Sequence, residues 1–204
     1  MRDMDAGRRG GRPPRLQIRN AGPGSWPPMP PRTAVVWNAA PVKFGFEQQW
    51  NASAEDVIEV YLDPDFWGTL DGLSATSAPE VLEVTRKQDS AVVRLRYRLT
   101  VSLPSEASRF IDTNDVAWVE QTSWDLLSRS ASISFAPDQA ASLMRAAAEA
   151  TLISEGDTAL RQIRGDIRVR IPLLGSRVER VVVEGIGDHL GEEADAVAGR
   201  LPSS

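Results

Sequence analysis

The pattern that most constrains this chain is a strict alternation of apolar and polar residues over residues 91–101. The apolar set would share one face of an extended strand: Ala91, Val93, Leu95, Tyr97, Leu99 and Val101. The other face would carry Val92, Arg94, Arg96, Arg98 and Thr100. A strand with one buried and one wet face is typical of an antiparallel sheet that covers a core on one side only. Something apolar must therefore cover the buried face.

The C-terminal segment predicts that cover. Its apolar residues recur mostly at spacings of three or four from Val178 onward: Val181, Val182, Ile186, Leu190 and Val197. Acidic and basic residues fall between them, so the segment predicts a long amphipathic helix. Ser176, with Glu179 at capping-box distance, predicts where this helix begins. Its apolar stripe must pack on the inner face of the sheet, the only apolar surface available.

The remaining elements follow from periodicity and breaks. Lys43 to Trp50 predicts a first strand, and Ser53 predicts the N-cap of a helix that Asp63–Pro64 interrupts. A second short helix should then run through residues 66–70. Further along, the sequence predicts two hairpins separated by a loop with a helical turn: strands 81–87 and 91–101, the loop around 106–111, and strands 115–127 and 129–135.

Residues 142–155 are ambiguous, because their alanine-rich composition favours a helix. Glu155–Gly156–Asp157, however, predicts a hairpin turn, and a regular strand follows it. We therefore predict that 142–155 is a strand. The strand after the turn would place these residues largely inward: Ala159, Ile163, Ile167, Val169 and Ile171.

The order strand, two short helices, about six further strands and a long helix resembles the START and birch-pollen-allergen superfamily, also called helix-grip, SRPBCC or polyketide cyclase-like. More narrowly, it resembles a bacterial family of uncharacterised function within that superfamily. The resemblance covers roughly residues 43–200, and these pieces carry it: 63–67, Leu103–Pro104, Trp124 and 169–179. It implies an α+β fold in which a curved antiparallel sheet of about six to seven strands grips the C-terminal helix.

The resemblance also implies an apolar ligand such as a lipid, polyketide or quinone, held in a cavity between the sheet and the C-terminal helix. Small-molecule sites are usually apolar pockets with a few polar groups. The candidates to line such a cavity are Phe46, Leu95, Tyr97, Trp118, Trp124, Phe135, Ile163, Ile186 and Leu190. The competing interpretation is that these residues simply pack together. We expect a binding or carrier protein for an apolar small molecule.

Two other functions remain open. Some relatives are cyclases or hydratases, and His189, beside the apolar stripe of the last helix, is the one candidate base, with Glu193 one turn on. Alternatively, the row Arg94, Arg96 and Arg98 could serve a protein-interaction domain or a nucleic-acid stripe, although arginines on the wet face of a sheet are usually only solvated. The sequence predicts no cofactor, and one histidine with no cysteine argues against a metal site.

Charge divides the chain at about residue 42. Residues 1–42 carry seven arginines and two aspartates, a net charge of +5, and hold eight of the 14 prolines. We predict that they form a disordered tail, whether an arginine arm, an idle extension or an over-long start with translation beginning at Met29. Residues 43–204 form the predicted domain, with a net charge of −10. That charge disfavours nucleic acid.

The remaining expectations concern location and assembly. No apolar stretch is long enough for stable membrane insertion, and no apolar run typical of a signal peptide follows the basic N-terminus. The expected location is the cytoplasm. The excess of arginine over lysine indicates a bacterial source of high GC content, and the oligomeric state stays open.

Overall fold

The computed structural model describes residues 17–18, 41–101, 112, 114–139, 141–171 and 175–202. These residues form one antiparallel sheet and three helices. The strands are β1 (Gln17–Ile18), β2 (Val42–Trp50), β3 (Glu80–Arg86), β4 (Ser90–Arg98), β5 (Ala117–Asp125), β6 (Ser130–Pro137), β7 (Met144–Glu155) and β8 (Thr158–Val169). The helices are α1 (Ala54–Leu62), α2 (Pro64–Trp67) and α3 (Gly175–Arg200).

The strands lie in the order β1-β2-β8-β7-β6-β5-β4-β3, all neighbours antiparallel. Strands β3 to β8 follow one another as adjacent hairpins, and α1 and α2 carry the chain from β2 to β3 at the opposite edge. Helix α3 packs mainly against β2 and β8 and also contacts α1. This arrangement confirms the predicted α+β class: a curved antiparallel sheet, short helices after the first long strand, and a long C-terminal helix.

The junction of α1 and α2 shows why the first helical segment divides. Ser53 caps α1, since its Oγ accepts a hydrogen bond from Asp56 N at 3.0 Å, as predicted. Asp63 ends α1 and caps α2, accepting from Asp65 N at 2.9 Å. Pro64 occupies the first position of α2, where its missing N–H costs nothing. Helix α2 therefore starts and ends earlier than residues 66–70.

The alanine-rich segment is strand β7, as predicted. It hydrogen-bonds to β6 on one side and β8 on the other, and this pairing outweighs the helix propensity of alanine. Gly156 supplies the positive φ of 62° that the turn between β7 and β8 requires. Gly165 of β8 is covered by the Phe44 ring, and a Cβ at Gly165 would lie 2.4 Å from Phe44 Cζ.

Two local predictions need correction. Strand β4 ends at Arg98 rather than residue 101, and Val101 is 45% exposed. Helix α3 begins at Gly175, so Ser176 lies inside it rather than before it. Glu179 accepts a hydrogen bond from Val169 N at 2.8 Å, which ties α3 to the end of β8.

Two further differences concern inward positions. Val181 is 51% exposed, because the apolar side of α3 turns toward the sheet at Val182 and Val183 instead. Ile171, predicted as an inward strand residue, lies beyond the end of β8. The Leu103–Pro104 motif, the predicted loop around 106–111, residues 172–174 and most of the predicted tail lie outside the described residues.

The arginine row of β4 lies on the outer face. Each arginine has a carboxylate partner there: Arg94 pairs with Glu83, Arg96 with Asp138 and Arg98 with Asp115. These ion pairs neutralise the stripe considered for nucleic acid or protein partners. In the described part of the chain, no helix is long and apolar enough to cross a membrane.

Candidate functional site

The nine side chains predicted to line a cavity all lie on the inner face of the sheet or on the side of α3 that faces it. Six are buried in the core: Phe46, Leu95, Tyr97, Trp124, Ile163 and Leu190. Three are partly exposed although they face inward: Trp118, Phe135 and Ile186. The structure thus brings the nine onto one surface but divides that surface into a packed part and a part that solvent reaches.

The packed part, which we call the closed end, lies under α1, α2 and the second half of α3. Tyr61 of α1 is its centre, with the ring centroids of Trp50, Phe66, Trp67 and Trp124 between 5.8 and 6.4 Å away. Two indole N–H groups are also bonded, that of Trp50 to Ala194 O at 3.0 Å and that of Trp67 to Tyr61 O at 3.1 Å. Because these five side chains are all buried, the closed end is filled by the protein itself.

A buried ion cluster joins the sheet, α1 and α3 at the closed end. It comprises Arg161 of β8, Glu193 of α3, Tyr61 and Gln48 of β2. Arg161 Nη1 donates to Glu193 Oε1 at 2.8 Å, to the Tyr61 hydroxyl at 2.6 Å and to Gln48 Oε1 at 3.1 Å. Gln48 Nε2 donates to the carbonyl of Leu190 at 2.6 Å. The Arg161 and Glu193 side chains are each only 5% exposed.

The geometry of this cluster fixes the protonation of Tyr61. Its hydroxyl donates to Glu193 Oε1 at 2.7 Å while accepting from Arg161. Burial raises the pKa of Tyr61 well above its usual range, so the hydroxyl keeps the proton that it donates. The Arg161 guanidinium also lies 4.5 Å from the centre of the Tyr61 ring, while its buried Nε has no hydrogen-bond partner among the described residues.

The part that solvent reaches, which we call the open end, lies toward the first half of α3. Seven of its inward apolar side chains are partly exposed: Trp118, Phe135, Met144, Ala146, Val182, Val183 and Ile186. Their cross-strand neighbours Tyr97, Ile167 and Val169 are buried. Between Glu179 and Gly187, α3 has no fully buried residue. These seven side chains are apolar and face inward, as core side chains do, but they are not fully buried. The open end is therefore an apolar region beside the core that solvent partly reaches.

One carboxyl group, that of Glu120, lies among these apolar side chains. Glu120 is on the inner face of β5, two residues after Trp118, and its cross-strand neighbours are Leu95 and Phe135. The side chain is half-buried. Its one described hydrogen bond comes from the Thr122 hydroxyl, at a long 3.5 Å.

The surroundings of Glu120 make its carboxyl titrate near neutral pH. Burial raises its pKa to about 7, and the negative charge of Glu193 acts in the same direction. Arg161 acts oppositely, but that guanidinium is already bonded to Glu193. A carboxyl group that changes charge near neutrality, in an apolar site, can donate or accept a proton or bind a cation.

His189, the candidate base, lies at the border between the two ends. Its ring meets Tyr97 edge-on, with centroids 5.3 Å apart, and its Nε2 is 4.0 Å from Glu193 Oε2. Tyr97 in turn stacks on Trp118 at 5.6 Å. Catalysis by His189 stays a prediction. Within the described ranges, no three histidine or carboxylate side chains are grouped to hold a metal ion.

Two polar members of the site, Arg161 and Glu120, were missed in the sequence, although their positions in alternating strands could have revealed them. Arg161 shares the parity of the inward residues Ala159 and Ile163, and Glu120 shares that of Trp118 and Trp124. A charged residue at an inward position of an alternating strand indicates either a buried ion pair or a binding site. Only partners distant in sequence decide between the two.

Solved structures with the same architecture include three of high coverage. The TTHA0849 protein of Thermus thermophilus is 16% identical, with a TM-score of 0.56, over 78% of this chain and 95% of that one. The Zhui aromatase/cyclase of a Streptomyces species is 17% identical, with a TM-score of 0.54, over 78% and 92%. Norcoclaurine synthase of Thalictrum flavum is 18% identical, with a TM-score of 0.53, over 80% and 96%. At these identities the likeness shows the fold alone, and it confirms the predicted helix-grip architecture.

Curated protein sequences give no significant match to this chain. A family model described as "Protein of unknown function (DUF2505)" matches residues 46–201. This range begins within β2 and extends past α3, so it includes the closed end, the ion cluster and the open end. The chain therefore belongs to the DUF2505 family.

Proposed function

We propose that this protein binds a largely apolar small molecule at the open end, between the first half of α3 and the inner faces of β5 to β7. The observation that carries the proposal is the partial exposure of inward apolar side chains, among them Trp118, Phe135 and Ile186. Exposed apolar surface at such positions costs free energy unless a ligand covers it. A lone polar group beside an apolar wall, here Glu120, is the usual composition of a small-molecule site.

The closed end supports the same proposal because it stabilises the fold without a ligand. Its aromatic packing and its ion cluster hold α1, α3 and the sheet together without any ligand. The open end is therefore free to stay unfilled in the folded protein. A preformed cleft on a rigid scaffold binds with little ordering cost. The Zhui aromatase/cyclase and norcoclaurine synthase are named as enzymes, but we carry over from them only the fold.

A neutral dye whose fluorescence rises in apolar surroundings, such as Nile red, tests the proposal on the full chain. Ile186→Trp should fill the open end from α3, and Ala146→Phe should fill it from β7. Val181→Trp is the matched control, because Val181 is on the same helix but 51% exposed. The wild-type protein and Val181→Trp should bind the dye saturably at one site. The two filled variants should bind at least about tenfold more weakly.

Thermal melting shows which variants have folded. Because Ile186→Trp and Ala146→Phe are on different elements, the test still works if one of them does not fold. Equal dye binding by the folded filled variants and the wild type would place the dye elsewhere and overturn the proposal, as would no binding at all. Mass spectrometry of the organic extract from the purified protein then identifies the class of any natural ligand. A stoichiometric apolar molecule is the expected result.

A further inference from the structure

We propose that the ligand of the open end carries a cationic amine, which Glu120 binds among the aromatic side chains of the inner face. The inference rests on the proposed function and deepens it by naming the ligand's polar group. Its basis is a juxtaposition: the Glu120 carboxyl forms no described ion pair and lies beside three aromatic side chains, one on its own strand and two on the neighbouring strands.

The strand register places aromatic groups around Glu120. Phe135 lies directly opposite on β6, Trp118 is two positions away on the same face of β5, and Tyr97 of β4 is a diagonal neighbour. Trp118 and Tyr97 stack on each other with an angle of 19° between their planes. Aromatic faces attract organic cations within about 6 Å, most strongly where water is displaced. A carboxylate within an aromatic wall is therefore suited to an ammonium group.

The charge balance of the interior favours a cation over an anion. Three described ionisable side chains interact electrostatically with Glu120: Glu193 on α3, Arg161 on β8 and Tyr97 on β4. His189 of α3 and Tyr61 of α1 instead interact with Tyr97. Arg161 is paired with Glu193, and Tyr61 and Tyr97 stay neutral because burial raises their pKa. Ionised Glu120 thus leaves one uncompensated negative charge. An ammonium ligand would neutralise it, whereas a carboxylate ligand would add a second.

The binding should strengthen as pH rises. The pKa of Glu120 is raised to about 7, so the carboxyl is ionised in about one tenth of molecules at pH 6 and about nine tenths at pH 8. If the ionised form binds the amine, affinity should rise about tenfold over this interval. An aryl-alkyl ammonium stays protonated throughout. A neutral ligand of the same shape would show no such increase.

The test uses three probes of matched shape on the full chain: 2-naphthylmethylamine, 2-naphthylmethanol and 2-naphthoate. Calorimetric titration at pH 6, 7 and 8 measures each Kd for the wild type, for Glu120→Gln and for Glu149→Gln. Glu149 is the matched control, because it is an exposed glutamate on the outer face of β7. The amine should bind the wild type and Glu149→Gln most tightly at pH 8, and Glu120→Gln should lose about tenfold with no remaining pH dependence.

The outcomes separate this inference from the proposed function. Equal binding of amine and alcohol, with no change between pH 6 and 8, would overturn the cation and leave apolar binding in place. Preference for naphthoate would also overturn it and would direct attention to the unpartnered Nε of Arg161. If none of the three probes binds, the cation inference fails, and the Nile red assay decides separately whether the open end binds apolar molecules.

Discussion

The closed end and the open end are made from the same strands and the same helix, yet only one of them is packed. Trp124 and Trp118 lie on the same face of β5, six positions apart, but Trp124 is 3% exposed and Trp118 is partly exposed. Helix α3 repeats the contrast, with Leu190 and Val197 buried and Ile186 partly exposed. The closed end has α1 and α2 as extra cover. The comparison teaches that the inner face of the sheet is larger than the surface that the helices fill.

The two ends also treat charge differently. At the closed end, the Arg161 guanidinium and the Glu193 carboxylate bond to each other and to neutral partners. At the open end, Glu120 forms no described ion pair and has one long hydrogen bond from Thr122. A buried ion pair is costly to break by removal of one partner, and a buried charge without a partner costs stability until something binds it. We therefore expect the closed end to contribute more to stability, and the contrast supports the proposal that the open end binds the ligand.

The largest expected effect comes from breaking the ion cluster. Arg161→Met should lower the free energy of unfolding by about 3–5 kcal/mol, because it leaves the buried Glu193 carboxylate without its cation. Urea unfolding followed by circular dichroism measures the loss. The double variant Arg161→Met with Glu193→Leu should recover a substantial part, because it removes both charges. If the double variant is no more stable than Arg161→Met, the unpaired Glu193 charge is not the main cause of the lost stability.

Much of this fold could be predicted because it depends on local patterns. The alternation in β4, the cap at Ser53 and the turn at Gly156 each depend on residues close in sequence, and all three hold in the structure. The alanine-rich β7 required context as well, since its own propensity favours a helix. The turn and the regular strand that follow supplied that context.

The division into two ends could not be predicted, because it depends on where the helices lie over the sheet. The pattern that marks Trp118 and Trp124 as inward residues is the same for both. Trp124 is buried and Trp118 is partly exposed because α1 and α2 pack over only one of them, and the alternation within β5 does not predict where those helices pack. The prediction for Val181 was wrong for a related reason: spacing alone placed both Val181 and Val182 on the apolar stripe, whereas the helix turns Val182 and Val183 toward the core.

The tryptophan pair of β5 gives the next largest effect and tests the comparison directly. Trp124→Ala should cost about 3–5 kcal/mol of unfolding free energy, because it leaves a cavity in a filled aromatic cluster. Trp118→Ala should cost about 1–2 kcal/mol, since its side chain is already partly exposed and its site can fill with water. Chemical denaturation of both variants measures the difference. Equal losses would mean that the open end is packed as firmly as the closed end.

The smallest expected effect is a pH-dependent gain in stability from Glu120→Gln. The folded-state pKa of about 7 lies above the usual value of 4.5, so the folded protein holds a proton that the unfolded chain has lost between these pH values. Wild-type stability attributable to Glu120 is therefore present below about pH 4.5 and falls as pH rises through about 7. Glutamine cannot ionise, so the variant should be more stable by about 1–2 kcal/mol at pH 8, after allowance for the half-buried position.

Thermal and urea unfolding of wild type and Glu120→Gln at pH 4.5, 6, 7 and 8 measure this difference without any ligand. Glu149→Gln, at an exposed position, should follow the wild type at every pH. A constant difference between wild type and Glu120→Gln would show that the carboxyl has an ordinary pKa and that the open end is well hydrated around it. A difference that grows with pH would show that the ionised Glu120 carboxylate lies in apolar surroundings without a compensating charge. It would thereby distinguish the open end from the closed end, where Arg161 and Glu193 are paired.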